Sequence, residues 1–233
     1  MIYGYSERGI FNSIIYYLDA NKNLIGEFLK VLGVEGFTEK EHTFTFLNEQ
    51  SFSDFGDNDL TIVIDEETEN KTVVFVEGKV KTFSGNFDLN SQLQKIKTDK
   101  QYKGVSSNIF AQLYYKYLLA KKMEKGQSES CIGKSPKKLG SNPIVKKGYE
   151  KIADAQRYYY TAILPNDITT EDFQKMFSTL DIEMNIDNVR CAYWGKIQDF
   201  FTGKNAISVI ENFKYNEEAT GKKGKAISQI YQI

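Results

Sequence analysis

The chain predicts an α/β fold, a central mixed β-sheet flanked by helices on both faces. Two observations carry that expectation. Apolar residues recur at helical spacing, then in short strand-like runs, then at helical spacing again with two further strand-like runs embedded. The resulting order of helices, three strands, helices, strand, helix, strand and helices needs a sheet covered on each side. Size agrees: 233 residues, 41% hydrophobic and 26% charged, suffice for one sizeable core, so residues 1–233 read as a single domain.

Each element has its own local reason. Ser6 is placed to cap a first helix whose apolar positions Ile10, Phe11, Ile14, Ile15 and Leu18 share a face, with Glu7 in the first turn, where an acid favours the helix dipole. A second helix is expected over residues 21–32, ended by Gly33. Residues 42–47, HTFTFL, alternate with Phe44 and Phe46 on one face and form a first strand before a loop over 48–58. Residues 60–64 and 72–76 are short, rich in β-branched side chains and joined by a polar turn, the pattern of an antiparallel hairpin.

After a loop, helices follow at about 91–98 and 105–123, the latter with Ile109, Leu113, Tyr117 and Ala120 along one stripe. Tyr114, Tyr115 and Tyr117 read as packing rather than as a platform for bases. Residues 124–151 form a flexible insertion with seven lysines (125, 134, 137, 138, 146, 147 and 151), suited to phosphate contact or to a solvated loop. Within it SESCIGKS lacks the first glycine and the preceding strand of a phosphate-binding loop, so no nucleotide site is assigned there. Residues 157–164 form a strand closed by Pro165, 170–180 a Thr-capped helix, and 189–194 a last strand. Helical pieces at 197–201 and 206–213 precede a tail containing GKKGK.

The chemistry concentrates in residues 59–79, DLTIVIDEETENKTVVFVEGK. A turn centred on Thr68 pairs residues whose numbers sum to 136 and sets Asp59 opposite Glu77, their Cα atoms about 4.5–5.5 Å apart. Facing carboxylates beside buried strands call for a cation. Glu77 and Lys79 emerge on one face, while Gly78 points the other way and leaves room for close backbone approach. Oxygen ligands of this kind suit Mg²⁺ or Mn²⁺, which can activate a water and neutralise phosphoryl charge. Asp54 and Asp57 in the preceding loop are alternatives to Asp59, which abuts its strand directly.

Other features set bounds. A net charge of −1 excludes a global basic field, so any nucleic-acid contact is local. Cys131 and Cys191 have neither disulfide nor zinc spacing, and His42, the one histidine, reads as an ordinary polar residue. With no apolar leader near the N-terminus and no apolar run approaching about 18 residues, the expectation is a soluble cytoplasmic protein without membrane contact.

An Asp at the start of one strand followed by E-x-K at the end of the next resembles the signature of the PD-(D/E)xK nuclease superfamily, although Asn58 stands where its Pro would be. The resemblance implies a restriction-endonuclease-like core and Mg²⁺-dependent (or Mn²⁺-dependent) hydrolysis of DNA, with bacterial defence or repair as settings. Asp59 and Glu77 would be metal ligands and Lys79 catalytic. It further implies a Glu on the helix before the hairpin, matched by Glu7, and a Gln on the helix after E-x-K, matched by Gln92 in SQLQKI with Gln94 as the alternative. Ile96 stands where a Tyr usually follows that Gln. The motif covers roughly the first 120 residues and the remainder matches by element order. A second reading keeps the fold as a non-catalytic module that binds protein or nucleic acid, and a third is an enzyme acting on small phosphorylated molecules.

Overall fold

The computed structural model describes residues 3–80, 87–98, 107–121, 128–129, 137–217, 219–220 and 226–227. Among these, five strands build one mixed sheet: β1 (Phe44–Ser51), β2 (Asp57–Ile64), β3 (Thr72–Gly78), β4 (Arg157–Leu164) and β5 (Val189–Tyr193). Their spatial order follows chain order. The β1–β2 and β2–β3 pairs are antiparallel, whereas β3–β4 and β4–β5 are parallel and are reached through helical crossovers.

Alternation along the strands divides the interior into two layers. Val63, Val73, Phe75, Tyr160, Ala162 and Leu164 face one layer, and Ile62, Ile64, Val74, Val76 and Ile163 face the other. The first layer is covered by α3 (Leu89–Thr98), α4 (Ile109–Ala120), α5 (Pro143–Ile152) and α6 (Thr170–Ser178). The second lies under α1 (Ser6–Ala20), α2 (Ile25–Val31), α7 (Trp194–Gly203) and α8 (Ile207–Glu217). Every residue of β3 is buried, as a strand with helices on both faces requires. The fold is therefore the expected one.

Several boundaries differ from expectation. Ser6 is the first helical residue rather than the cap: its φ is 61° and its N–H donates to Asn216 Oδ1 at 2.6 Å, a contact 210 positions away. The second helix divides into a 3₁₀ turn at Lys22–Leu24 and α2. β1 runs on to Ser51, where Gln50 pairs with Asn58 and Ser51 with Asp57, so the preceding loop shrinks to a 3₁₀ turn at Ser53–Phe55 and Asp59 sits inside β2. Trp194 starts α7 rather than ending the last strand.

The lysine-rich stretch contains a regular helix, α5. Asn142 caps it by accepting from Ile144 N, Pro143 occupies the first turn, and Val145, Tyr149 and Ile152 bury one stripe. Lys125 and Lys134 of that stretch, and Cys131, lie outside the described residues. Tyr114 and Tyr115 are buried and Tyr117 packs beside them, as expected of helical aromatics. Among the described residues no helix is long and apolar enough to cross a membrane.

Candidate functional site

The β2–β3 ladder runs through Leu60↔Val76, Thr61↔Phe75, Ile62↔Val74, Val63↔Val73 and Ile64↔Thr72. Each pair sums to 136, so the turn is centred on Thr68, and the same register carried one step past the last pair would set Asp59 opposite Glu77. Beyond the last pair a side chain takes over from the ladder: Gly78 N–H donates to Asp59 Oδ2 at 2.7 Å. Asn58 braces the strand from the other side, its side-chain amide donating to Leu60 O and to Thr61 Oγ1.

The Glu77 charge raises the cost of ionising Asp59. Burial, then the Glu77 charge, pushes the Asp59 carboxyl up to about 7; Lys79 and the Gly78 N–H act the other way. Glu7 adds a smaller upward push, so the start of α1 comes within electrostatic range of the pair. Glu7 itself is half-buried and accepts a hydrogen bond from Ser6 Oγ.

Lys79 leaves β3 from a backbone held at both ends. Its N–H donates to Ile163 O at 2.8 Å, and its carbonyl accepts from Trp194 Nε1 at 2.8 Å. Gly78 allows this packing, because a Cβ there would stand 2.8 Å from Phe11 Cε2 and 3.0 Å from Trp194 Cζ2. The E-x-K tripeptide thus points Glu77 and Lys79 toward one side of the sheet while Gly78 receives two aromatic rings on the other.

Glu77 is 0% exposed, and α4 supplies its partners. Gln112 Nε2 donates to Glu77 Oε2 at 3.0 Å. Lys116, one turn on and also 0% exposed, places Nζ 3.4 Å from Glu77 Oε1. That ammonium donates to three carbonyls of the turn before Asp59: Phe55 O at 2.9 Å, Gly56 O at 3.2 Å and Asp57 O at 3.0 Å. With three N–H groups directed at those carbonyls, Lys116 meets Oε1 mainly as a charge contact. Burial holds the Lys116 ammonium below the usual lysine range, and the neighbouring carboxylates oppose that shift. Gly56 accepts the bend at φ +81°, which a side chain would strain.

The remaining candidates lie elsewhere. Gln92 uses its side-chain oxygen to accept from Ile109 N at 3.0 Å, and its carbonyl accepts from Asn108 Nδ2 at 2.7 Å, so it secures the start of α4 rather than touching the acids. Gln94 is exposed on α3. Asp54 accepts from Lys138 N, and the exposed Asp57 meets Lys116 through its backbone carbonyl. His42 is paired with Asp65 at the far end of β2. Cys191 is a buried free thiol, which burial pushes up to about 12.

Among the described residues no three His, Cys, Asp or Glu side chains group closely enough for a three-ligand metal centre. A hard divalent ion that keeps several waters needs one or two carboxylates, and Asp59 with Glu77 supplies two. Comparison with protein-family models, with curated proteins and with solved structures gives no match.

Proposed function

We propose that the chain is a divalent-metal-dependent nuclease of the PD-(D/E)xK type, hydrolysing DNA phosphodiester bonds. The observation that carries this reading is the β2–β3 register, which brings Asp59 beside Glu77 with Lys79 two residues further on. A cation fits the donors present: Asp59 and Glu77 offer two carboxyl groups, and the raised Asp59 carboxyl gains from any positive charge nearby.

Mg²⁺ or Mn²⁺ bound there would supply an acidified water and neutralise phosphate charge. The chain's own groups have separable tasks. Asp59 and Glu77 hold the ion, Lys79 presents its ammonium to a phosphate oxygen from a fixed backbone, and Lys116 with Gln112 keeps Glu77 in place. Glu7 adds negative charge at the rim, and Gln92 acts at one remove by securing α4. Such an enzyme would meet its substrate in the cytoplasm.

Incubation with linear, circular and single-stranded DNA, with Mg²⁺ or with EDTA, tests the proposal. Cleavage is expected with the metal alone, and Lys79→Ala should abolish it without loss of folding. Full activity in that variant would remove Lys79 from the chemistry.

The rival reading is a binding module on the same fold, and Lys116 favours it, since Glu77 already has a cation within the protein. A thermal melt with Mn²⁺ separates the two: a metal that binds only the folded state raises the midpoint. An unchanged midpoint would favour the module.

A further inference from the structure

The opposite end of the sheet carries a second polar cluster, built around the chain's single histidine. Asp65 follows Asp59 by six residues, so at strand spacing the two lie about 20 Å apart. Both Asp65 oxygens are engaged. Oδ1 accepts from Thr43 N at 2.9 Å and from Thr43 Oγ1 at 3.4 Å, and Oδ2 meets His42 Nδ1 at 2.6 Å. Burial pushes the Asp65 carboxyl up, but the His42 and Thr43 contacts outweigh it and hold the group below the usual range.

The imidazole is held in turn. Phe37 packs edge-on against it with ring centroids 5.1 Å apart, and engagement of Nδ1 by a carboxylate leaves Nε2 as the nitrogen without a partner among the described residues. A cavity of about 490 Å³ is bounded by this dyad and by Phe37, with Arg157, Gln156 and Asn70 also in its wall. Arg157 enters at the first rung of β4, paired with Thr72. Its guanidinium makes one long hydrogen bond, Nη1 to Tyr159 OH at 3.3 Å, and its remaining donors have no partner among the described residues. Glu41, exposed, is the other acid in the wall.

We propose that this cavity binds a small phosphomonoester bearing a hydroxylated organic group, with the phosphate between Arg157 and His42 Nε2. The guanidinium fork matches two phosphate oxygens. Asp65 fixes the ring so that Nε2 accepts from a phosphate OH when the imidazole is neutral and donates when it is cationic. Both Asp65 oxygens are turned toward His42 and Thr43 rather than toward the phosphate position, and a cationic imidazole offsets the Asp65 charge, while Glu41 offers an acceptor for a hydroxyl and Phe37 an apolar wall. The volume suits a single small molecule rather than a polymer, and the site is independent of the nuclease reading.

One histidine gives a single imidazole Hε1 signal, so proton NMR reads the site directly. Titration with adenosine monophosphate should shift the His42 resonance saturably, with inorganic phosphate about tenfold weaker or more. Arg157→Gln, at an exposed position, should remove the shift with the rest of the spectrum preserved, and Arg157→Lys should restore part of it. Lys79→Ala should bind as the parent does, which separates this test from the one on the acids. An equal response to sodium sulfate at matched ionic strength, inorganic phosphate binding as tightly as the nucleotide, or undiminished binding in Arg157→Gln would each overturn the proposal.

Discussion

Lys116 Nζ stands 3.4 Å from Glu77 Oε1, and neither residue is open to solvent. The pair joins α4 to β3, and through three carbonyls it also joins both to the turn before Asp59. Removing one partner leaves an uncompensated buried charge. Lys116→Met should therefore lower stability by about 3–5 kcal/mol in urea unfolding. Lys116→Met with Glu77→Gln should recover much of that loss, and strict additivity of the two changes would show that they are not coupled.

The Asp59 carboxyl, pushed up by burial and by Glu77 to about 7, makes stability depend on pH. A folded-state value above the unfolded one means that the native state holds the proton more tightly. The stabilisation is complete below about 4, the ordinary carboxyl range, and is lost as pH rises through about 7. In EDTA, the melting temperature should fall between pH 5 and pH 8 by more than in Asp59→Asn, measured by circular dichroism. Parallel curves for the two proteins would contradict the assignment.

Gly78→Ala tests the packing behind the acids. Its methyl would meet Phe11 and Trp194 at 2.8 and 3.0 Å, so the rings must move or β3 must shift. A loss of about 1–3 kcal/mol is expected, as in other overpacked cores. Since Trp194 is the single tryptophan, its fluorescence should change in the folded variant. An unaltered spectrum would mean that the ring has room.

Gln92 and Gln112 should separate by phenotype. Gln92→Leu removes the acceptor for Ile109 N and should cost about 1 kcal/mol of stability, leaving Mn²⁺ affinity unchanged by calorimetry. Gln112→Leu removes the donor on Glu77 Oε2 and should alter Mn²⁺ affinity instead. The reverse pattern would return Gln92 to the site.

Much of this arrangement was legible in the chain. The hairpin register follows from two apolar runs placed symmetrically about Thr68, and period two then assigns faces to Glu77, Gly78 and Lys79. The partners of Glu77 are not legible in the chain, because they depend on how α4 packs against β3. A signal existed nonetheless: in IFAQLYYKYLLA, Gln112 and Lys116 are the only amide and the only charge, four residues apart and so on one face. Ser6 does not cap because Tyr5 holds the cap position and the Ser6 hydroxyl donates to Glu7. Helix α5 was hidden by its lysines, although the Asn-Pro start and the Val145, Tyr149, Ile152 spacing lay beneath them.

The N-terminal arm is clasped to α8 by Asn212 and Asn216, which orders the events of synthesis. Gly4 N–H donates to Asn212 Oδ1 at 2.9 Å, Asn216 Nδ2 returns a bond to Gly4 O at 3.1 Å, and a Cβ on Gly4 or Gly9 would overlap the other's backbone. The arm carrying Glu7 cannot be seated while a ribosome still holds residue 216. A chain truncated after Asn205 should consequently expose that arm to protease, because the arm reaches its final seat only once residues 212 and 216 are in place.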